Sequence, residues 1–358
     1  MTVAPVPRSA DRWRAVRMSA LQAITLVVLL AACSSTVAES PSPSAVAESP
    51  ATSDSDGGAE LEPATITMYT STTQDTVDAV LAAFAEVHPE ITVELFRAPT
   101  GELNARIAAE QREGDVGGDV LWLSDPLSMQ DYDAQGLLAS WQPSELDGIP
   151  MEYQSDRFWG TRLLNVVLIH GAEVEPAPSA WSDLADAAYA GAVAIIDPGF
   201  AGSAFGSLGY FATTDEFGFD FYRDLAANGA VQVSAPDEVV TGVAEGRFMA
   251  GITLEAPAQA AVANGSPIEV VWPEPGAIAI YSPIGVISES EEAAAAEALV
   301  NFILSEPGQA AIGSTGFQPV REGVEGPPVQ GEQVAPDWEA LFDRQDELLE
   351  EYRSIFGG

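Results

Sequence analysis

Four hydroxyl side chains follow one another at Thr70-Ser71-Thr72-Thr73, between a segment with a strand pattern and one with a helical pattern. The backbone N–H groups at a helix amino terminus carry partial positive charge, and nearby hydroxyls add further donors. Ser and Thr are also common N-cap residues. This segment therefore predicts either contacts from Ser71, Thr72 and Thr73 to an anionic or polar ligand, or an ordinary helix cap.

Arginine is the only basic residue type besides histidine, with 14 arginines against 54 acidic residues. An acidic excess of this size argues against nucleic-acid binding, which needs a basic surface. Arg97 and Arg162 lie in or beside strand-like segments. A guanidinium facing a cleft would bind a carboxylate or phosphate through two N–H groups. For either arginine, a surface salt bridge is the alternative.

The amino-terminal segment has the features of an export signal. Several arginines precede an apolar run from Leu21 to Ala32, and Cys33, the only cysteine, follows it. The tail Leu30-Ala31-Ala32-Cys33 resembles the bacterial lipoprotein signal, in which the cysteine is lipidated and begins the mature chain. A plain secretory signal or a short membrane anchor is the alternative. We predict a signal peptide at 1–33 and an extracytoplasmic protein attached to the cell membrane through its lipid.

Residues 34–62 are rich in Ser, Pro, Ala and acidic residues and predict a disordered tether. After it, strand-like segments alternate with helical ones. Strands are expected at 65–70, 91–96, 119–123, 161–170, 192–196 and 249–254, with helices between them, one of which begins at Thr100 as its N-cap. Such alternation predicts an α/β fold with largely parallel sheets.

Six stretches occur in an order that resembles the extracellular solute-binding proteins of ABC importers. They are ITMYTSTTQDTVDAVLAAFAEVHPEITVE (66–94), GELNARIAAE (101–110), DVLWLSD (119–125), GLLASWQP (136–143), SAWSDLADAAYAGAVAIIDP (179–198) and FILSEPGQAAIGSTGFQPVR (302–321). The branch that the chain resembles includes binders of ferric iron, thiamine, phosphonates and sugar phosphates. The resemblance covers roughly residues 65–321.

The resemblance implies a two-lobe, periplasmic-binding-protein-like fold of type 2, with crossing hinge strands between the lobes. Lobe one is expected at 63–165 plus 278–358, and lobe two at 166–277. In such proteins the ligand is trapped as the lobes close. The carboxyl ends of strands, where open α/β sheets bind their ligands, are the expected site.

One loop of lobe two is implied as a ligand contact by the resemblance. In the family it commonly has the pattern Asp-Pro, two residues, then Ser-Gly-Thr. Here the last three positions are Ala201, Gly202 and Ser203, so one hydroxyl is missing. Gly202 and Ser203 are the candidates, and a glycine-rich strand-to-helix turn is the alternative. Thr100 and Ser124 follow strands on the same side and are added to the site.

Glu255 lies near the position where iron-binding members carry adjacent tyrosines. This chain has no adjacent tyrosines, and its two histidines, His88 and His170, are far apart. No metal site is therefore predicted, and ferric iron stays an alternative cargo. Glu255 is a candidate for contact with a ligand amine or hydroxyl, or else a solvated carboxylate.

The predicted function is the substrate-binding component of an ABC importer, which passes a small polar or anionic solute to a membrane permease and its ATPase. No cofactor is expected, and a monomer is what the resemblance implies. The sequence has no Gly-x-Ser-x-Gly elbow, phosphate P-loop or His-Glu-x-x-His motif, so catalysis is not predicted. A surface sensor or interaction lipoprotein, and an unrecognised enzyme, are the alternatives.

Overall fold

The computed structural model describes residues 61–357. Cys33, the predicted signal peptide and nearly all of the predicted tether lie outside the described residues, so those assignments stay predictions. The described residues belong to one compact unit, Ala59–Gly358. No helix within 61–357 has the length and apolar character needed to cross a membrane.

The described residues contain eleven strands and eleven α-helices. The strands are β1 (Ala64–Thr70), β2 (Ile91–Arg97), β3 (Val120–Trp122), β4 (Phe158–Gly171), β5 (Val193–Ile196), β6 (Val231–Val233), β7 (Ala250–Leu254), β8 (Ile268–Val271), β9 (Ala277–Val286), β10 (Gln318–Pro319) and β11 (Gln333–Val334). The helices are α1 (Gln74–Val87), α2 (Thr100–Glu113), α3 (Pro126–Ala134), α4 (Gly202–Thr213), α5 (Asp220–Ala227), α6 (Pro236–Ala244), α7 (Glu255–Ala263), α8 (Ala293–Leu304), α9 (Glu306–Ser314), α10 (Trp338–Phe342) and α11 (Gln345–Phe356).

The strands form one sheet in the order β2-β1-β3-β9-β4-β7-β5-β6. Two parallel trios, β2-β1-β3 and β7-β5-β6, stand at its two ends. The long strands β4 and β9 run antiparallel to each other and join the trios. The prediction of two α/β lobes joined by crossing strands is therefore confirmed, although the sheet is parallel only within each lobe.

Burial explains why β4 has apolar side chains at successive positions, as in Leu163-Leu164 and 166–169. The strand pairs with β9 along its first part and with β7 and β8 along its second part, and every residue from Phe158 to His170 is buried. A strand covered on both faces needs apolar side chains at successive positions rather than at alternate ones. Together with β9, this strand connects the two parallel trios.

Two helix predictions differ from the structure near the ends of elements. Thr100 is the first residue of α2, and Pro99 is its N-cap. The short helix expected within residues 182–191 is two 3₁₀ turns instead, Trp181–Ala185 and Ala187–Tyr189. Asp186 ends the first turn and its side chain accepts from the Ala188 N–H at 2.9 Å, which starts the second turn.

The acidic carboxyl-terminal segment forms two helices, α10 and α11. α10 packs against α3, whereas α11 packs against α5 and α4, so the chain changes direction at 343–344. α11 also reaches α3, because the Gln345 side chain donates to the Leu127 carbonyl at 3.4 Å. The last helix therefore contacts elements of both predicted lobes, and the predicted lobe boundaries stay a prediction.

Candidate ligand-binding cleft

The carboxyl ends of the parallel strands in both lobes face a common cavity. β1, β2 and β3 bring the loops after Thr70, Arg97 and Trp122 to one side. β5, β6 and β7 bring the loops after Ile196 and Val233 and the end of β7 to the other side. The cavity has a volume of about 270 Å³. Its position matches the general rule for ligand sites in open α/β sheets.

The structure brings six of the eight predicted ligand residues together at this cavity. They are Ser71, Thr73, Thr100, Ser124, Gly202 and Ser203, and both singled-out arginines, Arg97 and Arg162, line it as well. The other two, Thr72 and Glu255, are buried beside the cavity and do not line it. Whether any of these residues contacts a ligand stays a proposal.

Five helices begin at the cavity wall with no side-chain cap: α1, α2, α4, α6 and α7. Their N-cap residues are Thr73, Pro99, Ala201, Ala235 and Leu254, and four of these have no side-chain acceptor. By contrast α9 and α10 begin away from the lining residues, and the N-cap of α3, Asp125, is next to the lining residue Ser124; all three are capped by a carboxylate or hydroxyl. Away from the cavity, α5, α8 and α11 also lack a side-chain cap. Uncapped N–H groups and helix dipoles make this cavity electropositive.

Arg162 is the most unusual side chain of the cavity. It is 1% exposed, its Nη1 donates to Thr76 Oγ1 at 3.2 Å, and its buried Nε has no hydrogen-bond partner. The guanidinium carbon lies 4.0 Å from the centroid of the Phe317 ring. Burial lowers the pKa of Arg162 to about 9, so the group is still a cation at neutral pH.

Most other arginines have carboxylate partners. Of the ten arginines among residues 61–357, six form ion pairs with Asp or Glu. Within that range Arg162 is the one buried arginine outside these pairs, although acidic residues far outnumber basic ones. A buried cation is costly unless an anion or polar groups compensate it. The cavity therefore has a preformed position for negative charge.

Arg97 supplies a second, exposed guanidinium at the same cavity. Its Nε donates to the Thr72 carbonyl at 2.7 Å, which fixes the side chain beside the loop after β1. Thr72 itself is fully buried, and its hydroxyl oxygen has no partner. Thr72 thus positions Arg97 through its backbone rather than lining the cavity.

Hydrogen bonds between hydroxyl groups organise the wall formed by the first lobe. Ser71 Oγ and Ser124 Oγ share a hydrogen bond of 2.7 Å. Thr73 Oγ1 and Thr76 Oγ1 share one of 2.9 Å, and Thr76 is also the acceptor for Arg162. The hydroxyls near β1 are therefore engaged with one another and with the buried cation.

Glu255 has its carboxylate already occupied by donors from its own fold. Asn165 Nδ2 and Trp272 Nε1 each donate to it at 3.0 Å. The side chain is 4% exposed and connects the first residue of α7 to β4. These contacts give Glu255 a structural role, and its side chain does not line the cavity.

The two lobes touch along a seam next to the cavity. The Gly101 N–H donates to the Phe200 carbonyl at 3.2 Å. A Cβ atom at Gly202 would lie 2.3 Å from Asp125 Oδ2, so only glycine allows this approach. Asp125 is fully buried and accepts from the backbone N–H and hydroxyl of Ser128 at 2.8 and 3.2 Å. Burial raises the pKa of Asp125 to about 6.

Sequence reasoning missed half of the residues that line the cavity. They are Ala98, Pro99, Leu164, Ser234, Ala235, Pro236, Asp237, Leu254 and Pro257. Most are small or apolar, and such residues fit a core as well as a ligand site. Their position in the chain could have indicated them, because most lie directly after β2 or β6 or at the β7–α7 junction. The loops after β1 and β5 are predicted on the same ground.

Residues 66–318 match the sequence pattern of the family described as bacterial extracellular solute-binding protein. The chain belongs to this family. An uncharacterised protein of Haemophilus influenzae is similar to this solute-binding protein, with 22% identity over 259 residues that cover 68% of this chain and 74% of the relative.

Solved structures of solute-binding proteins share the fold. The periplasmic binding protein AfuA of Actinobacillus pleuropneumoniae, solved with fructose 6-phosphate, superposes with a TM-score of 0.75 at 18% identity, covering 82% of this chain and 99% of AfuA. Iron-bound HitA of Pseudomonas aeruginosa gives 0.70 at 21% identity, covering 82% and 99%. The substrate-binding protein of an ABC transporter of Agrobacterium tumefaciens gives 0.73 at 17%, covering 83% and 96%. The predicted type 2 periplasmic-binding fold is confirmed.

Proposed function

We propose that this solute-binding protein captures a small anionic solute between its two lobes and delivers it to the permease of an ABC importer. The observation that carries the proposal is Arg162, a buried cation with no carboxylate partner that lines the cavity. The net charge of −40 works against any anion in the surrounding solvent, so a local cation is required for such a ligand. Uncapped helix amino termini add donors of the same sign.

Ferric iron is the alternative ligand, because the fold is shared with iron-bound HitA. The residues that line the cavity argue against it. Ferric iron favours phenolate and carboxylate oxygens. Among the described residues the cavity wall includes one carboxylate, the exposed Asp237, and neither tyrosine nor histidine. Arg162 and Arg97 would also repel a trivalent cation. An anionic solute is therefore the better fit.

Isothermal titration with phosphate esters, phosphonates and carboxylates tests the anion site, with Arg162→Met as the decisive variant. We expect at least about a tenfold loss of affinity, since a hydrogen bond to a charged group contributes roughly 1.5–3 kcal/mol. The ligand-free variant should melt higher than the wild type, because an uncompensated buried charge is removed. A structural role for Arg162 predicts the opposite change in melting temperature.

Arg112→Met is the matched control. Arg112 is exposed, has no ion pair, and donates to the Ala108 carbonyl at 2.8 Å on its own helix. We expect affinity and melting temperature close to those of the wild type. Equal affinities of the Arg162→Met and Arg112→Met variants would contradict the proposal, and turnover of any ligand would replace it with an enzyme.

The membrane side of the proposal depends on the lipid at Cys33, which the export-signal pattern predicts. The anchor would hold the binding protein near its permease through the predicted tether at 34–62. Cell fractionation tests it, since a Cys33→Ser chain should leave the membrane fraction. Retention of that variant in the membrane fraction would contradict lipid anchoring.

A further inference from the structure

The cavity has a polar wall and an apolar wall, and the apolar wall indicates the chemistry of the uncharged part of the ligand. The polar wall holds Arg162, Arg97 and the hydroxyls near β1. The apolar wall consists of Leu164, Ala235, Pro236, Leu254 and Pro257. Leu164 and Leu254 are 1% and 6% exposed, so their side chains are fixed parts of the fold. A ligand bridging both walls would meet charge at one end and hydrocarbon at the other.

Few hydrogen-bonding groups are left for hydroxyls on the body of a ligand. Ser71 is already bonded to Ser124, and Thr73 to Thr76. Thr100 Oγ1, beside Gly202, is buried without a partner. On the opposite side the remaining polar side chains are Ser203, Ser234 and Asp237, and the last two are exposed. A ligand hydroxyl placed against the side chain of Leu164 or Pro257 would lose its water without gaining a partner, which costs binding free energy.

The size of the cavity and the lack of aromatic side chains among its described lining residues narrow the class of ligand further. None of the described residues lining the cavity is aromatic, and none is Asn or Gln. Flat ligands therefore have no ring to stack on, and sugar hydroxyls have no amide to bond. A volume of about 270 Å³ lies near the lower end for organic ligand sites. A short, flexible hydrocarbon body fits these conditions.

We propose that the ligand is a short-chain aliphatic oxyanion whose body carries no hydroxyl groups. The oxyanion lies against Arg162 and the amino termini of α1 and α4, and the alkyl body lies against Leu164, Leu254 and Pro257. This inference rests on the proposed function, because it specifies the ligand of the same cavity. It separates this chain from a sugar-phosphate binder by residues of the wall rather than by the anion site.

A matched pair of ligands tests the inference on the wild-type protein. Propyl phosphate and glycerol 3-phosphate share a three-carbon skeleton and a phosphate, and differ by two hydroxyls. We expect propyl phosphate to bind at least tenfold more tightly in isothermal titration. Fructose 6-phosphate should bind more weakly than either. Equal or tighter binding of glycerol 3-phosphate would overturn the hydroxyl-free body and leave the anionic-solute function standing.

Variants of the apolar wall test the same point by changing the protein. Leu254→Asn adds hydrogen-bonding groups at the N-cap of α7, a position where Asn is favoured, and should reduce the preference for propyl phosphate by at least fivefold. Leu254→Ala removes volume without adding polarity and should weaken both ligands while keeping their order. Pro257→Ser, at a half-buried position, is the second polar variant if Leu254→Asn does not fold. Preferences equal to the wild type in a folded polar variant would contradict the assignment of this wall.

If the proposed anion site is wrong, the three ligands below should show a different pattern of binding. Propyl phosphate, propyl phosphonate and butyrate present the same short body with different oxyanions. If none of them binds to protein that melts cooperatively, both the inference and the proposed anionic solute are overturned. If butyrate alone binds, the aliphatic body stands and the head group is a carboxylate.

Discussion

Arg162 and Asp125 are buried ionisable side chains without partners of opposite charge, and they lie at the cavity and at the lobe seam respectively. Each is held by neutral groups, Arg162 by Thr76 and the Phe317 ring and Asp125 by Ser128. Such groups reduce stability in the ionised form because their desolvation is not compensated. The retention of Arg162 at the cavity fits a protein that uses part of its folding free energy to keep a site ready for an anionic ligand.

Asp125 gives a prediction for the pH dependence of stability. Its pKa of about 6 in the folded protein is above its ordinary value of 3.8, so the folded state holds the proton more tightly. Its contribution is therefore fully present below pH 3.8 and is lost as pH rises through about 6. The nearby Tyr132 and Tyr281 are neutral throughout this range, since burial raises the pKa of each phenol.

Asp125→Asn removes this titration and keeps an acceptor for the Ser128 N–H. Relative to the wild type, we expect the variant to gain about 3 kcal/mol of unfolding free energy between pH 4 and pH 7, from a shift of roughly two pKa units. Urea denaturation at several pH values measures it, and the difference between the two proteins cancels the many other carboxylates. A difference that does not change with pH would show that Asp125 titrates normally.

At the scale of elements, the five uncapped helices that begin at the cavity (α1, α2, α4, α6 and α7) explain how a small cavity becomes electropositive in an acidic protein. α4 shows it most clearly, because Ala201 stands at its N-cap and cannot accept a hydrogen bond. Ser203 and Ala204 follow it on the first turn and are buried. A ligand oxygen at this position would accept what a capping side chain accepts elsewhere.

Ala201→Asp tests this helix end. The new carboxylate should cap α4, raise the unfolding free energy by about 1 kcal/mol, and exclude the anionic ligand by occupying its donors with like charge. Ala201→Asn supplies a similar cap without charge and should cost less affinity. Titration calorimetry and thermal melts of both variants separate the two effects. Tighter ligand binding by the Asp variant would rule out an anion at this end.

The sequence predicts elements better than it predicts what surrounds a side chain. Ser71 and Thr73 are found because hydroxyls at a strand-to-helix boundary form a local pattern. The burial of Arg162 depends on Phe317, which is distant in sequence, so no local pattern reports it. Glu255 follows a strand in the same way as Ser71 does, yet Asn165, 90 residues away, binds its carboxylate. A local sequence pattern therefore predicts where a residue lies within an element, whereas contacts with residues distant in sequence determine whether its side chain is free to bind a ligand.

At the scale of the whole molecule, the carboxyl-terminal helices limit how the lobes can separate. Leu341 of α10 is fully buried, and a Cβ at Gly209 of α4 would lie 2.4 Å from its Cδ1. Tyr352 of α11 is buried against Tyr222 of α5, with ring centroids 5.1 Å apart. Since α10 also packs on α3, it contacts elements of both predicted lobes, and separation of the lobes has to break some of these contacts.

The net charge of −40 leads to an unusual salt dependence of ligand capture. An anion approaching this surface is repelled over the Debye length, which falls from about 30 Å at 0.01 M salt to about 10 Å at 0.1 M. The attraction from Arg162 acts at short range in a buried site and is screened much less. We therefore expect the association rate constant to rise several-fold between 10 and about 150 mM salt, with little change in the dissociation rate.

Stopped-flow tryptophan fluorescence with propyl phosphate measures both rate constants across this range. Sodium chloride and sodium gluconate are compared at equal ionic strength, because chloride can compete for the anion site whereas screening depends on ionic strength alone. A rise in both salts supports repulsion by the whole acidic surface. An association rate that falls with salt in both would mean that the positive field of Arg162 and Arg97 extends beyond the cavity and governs the encounter.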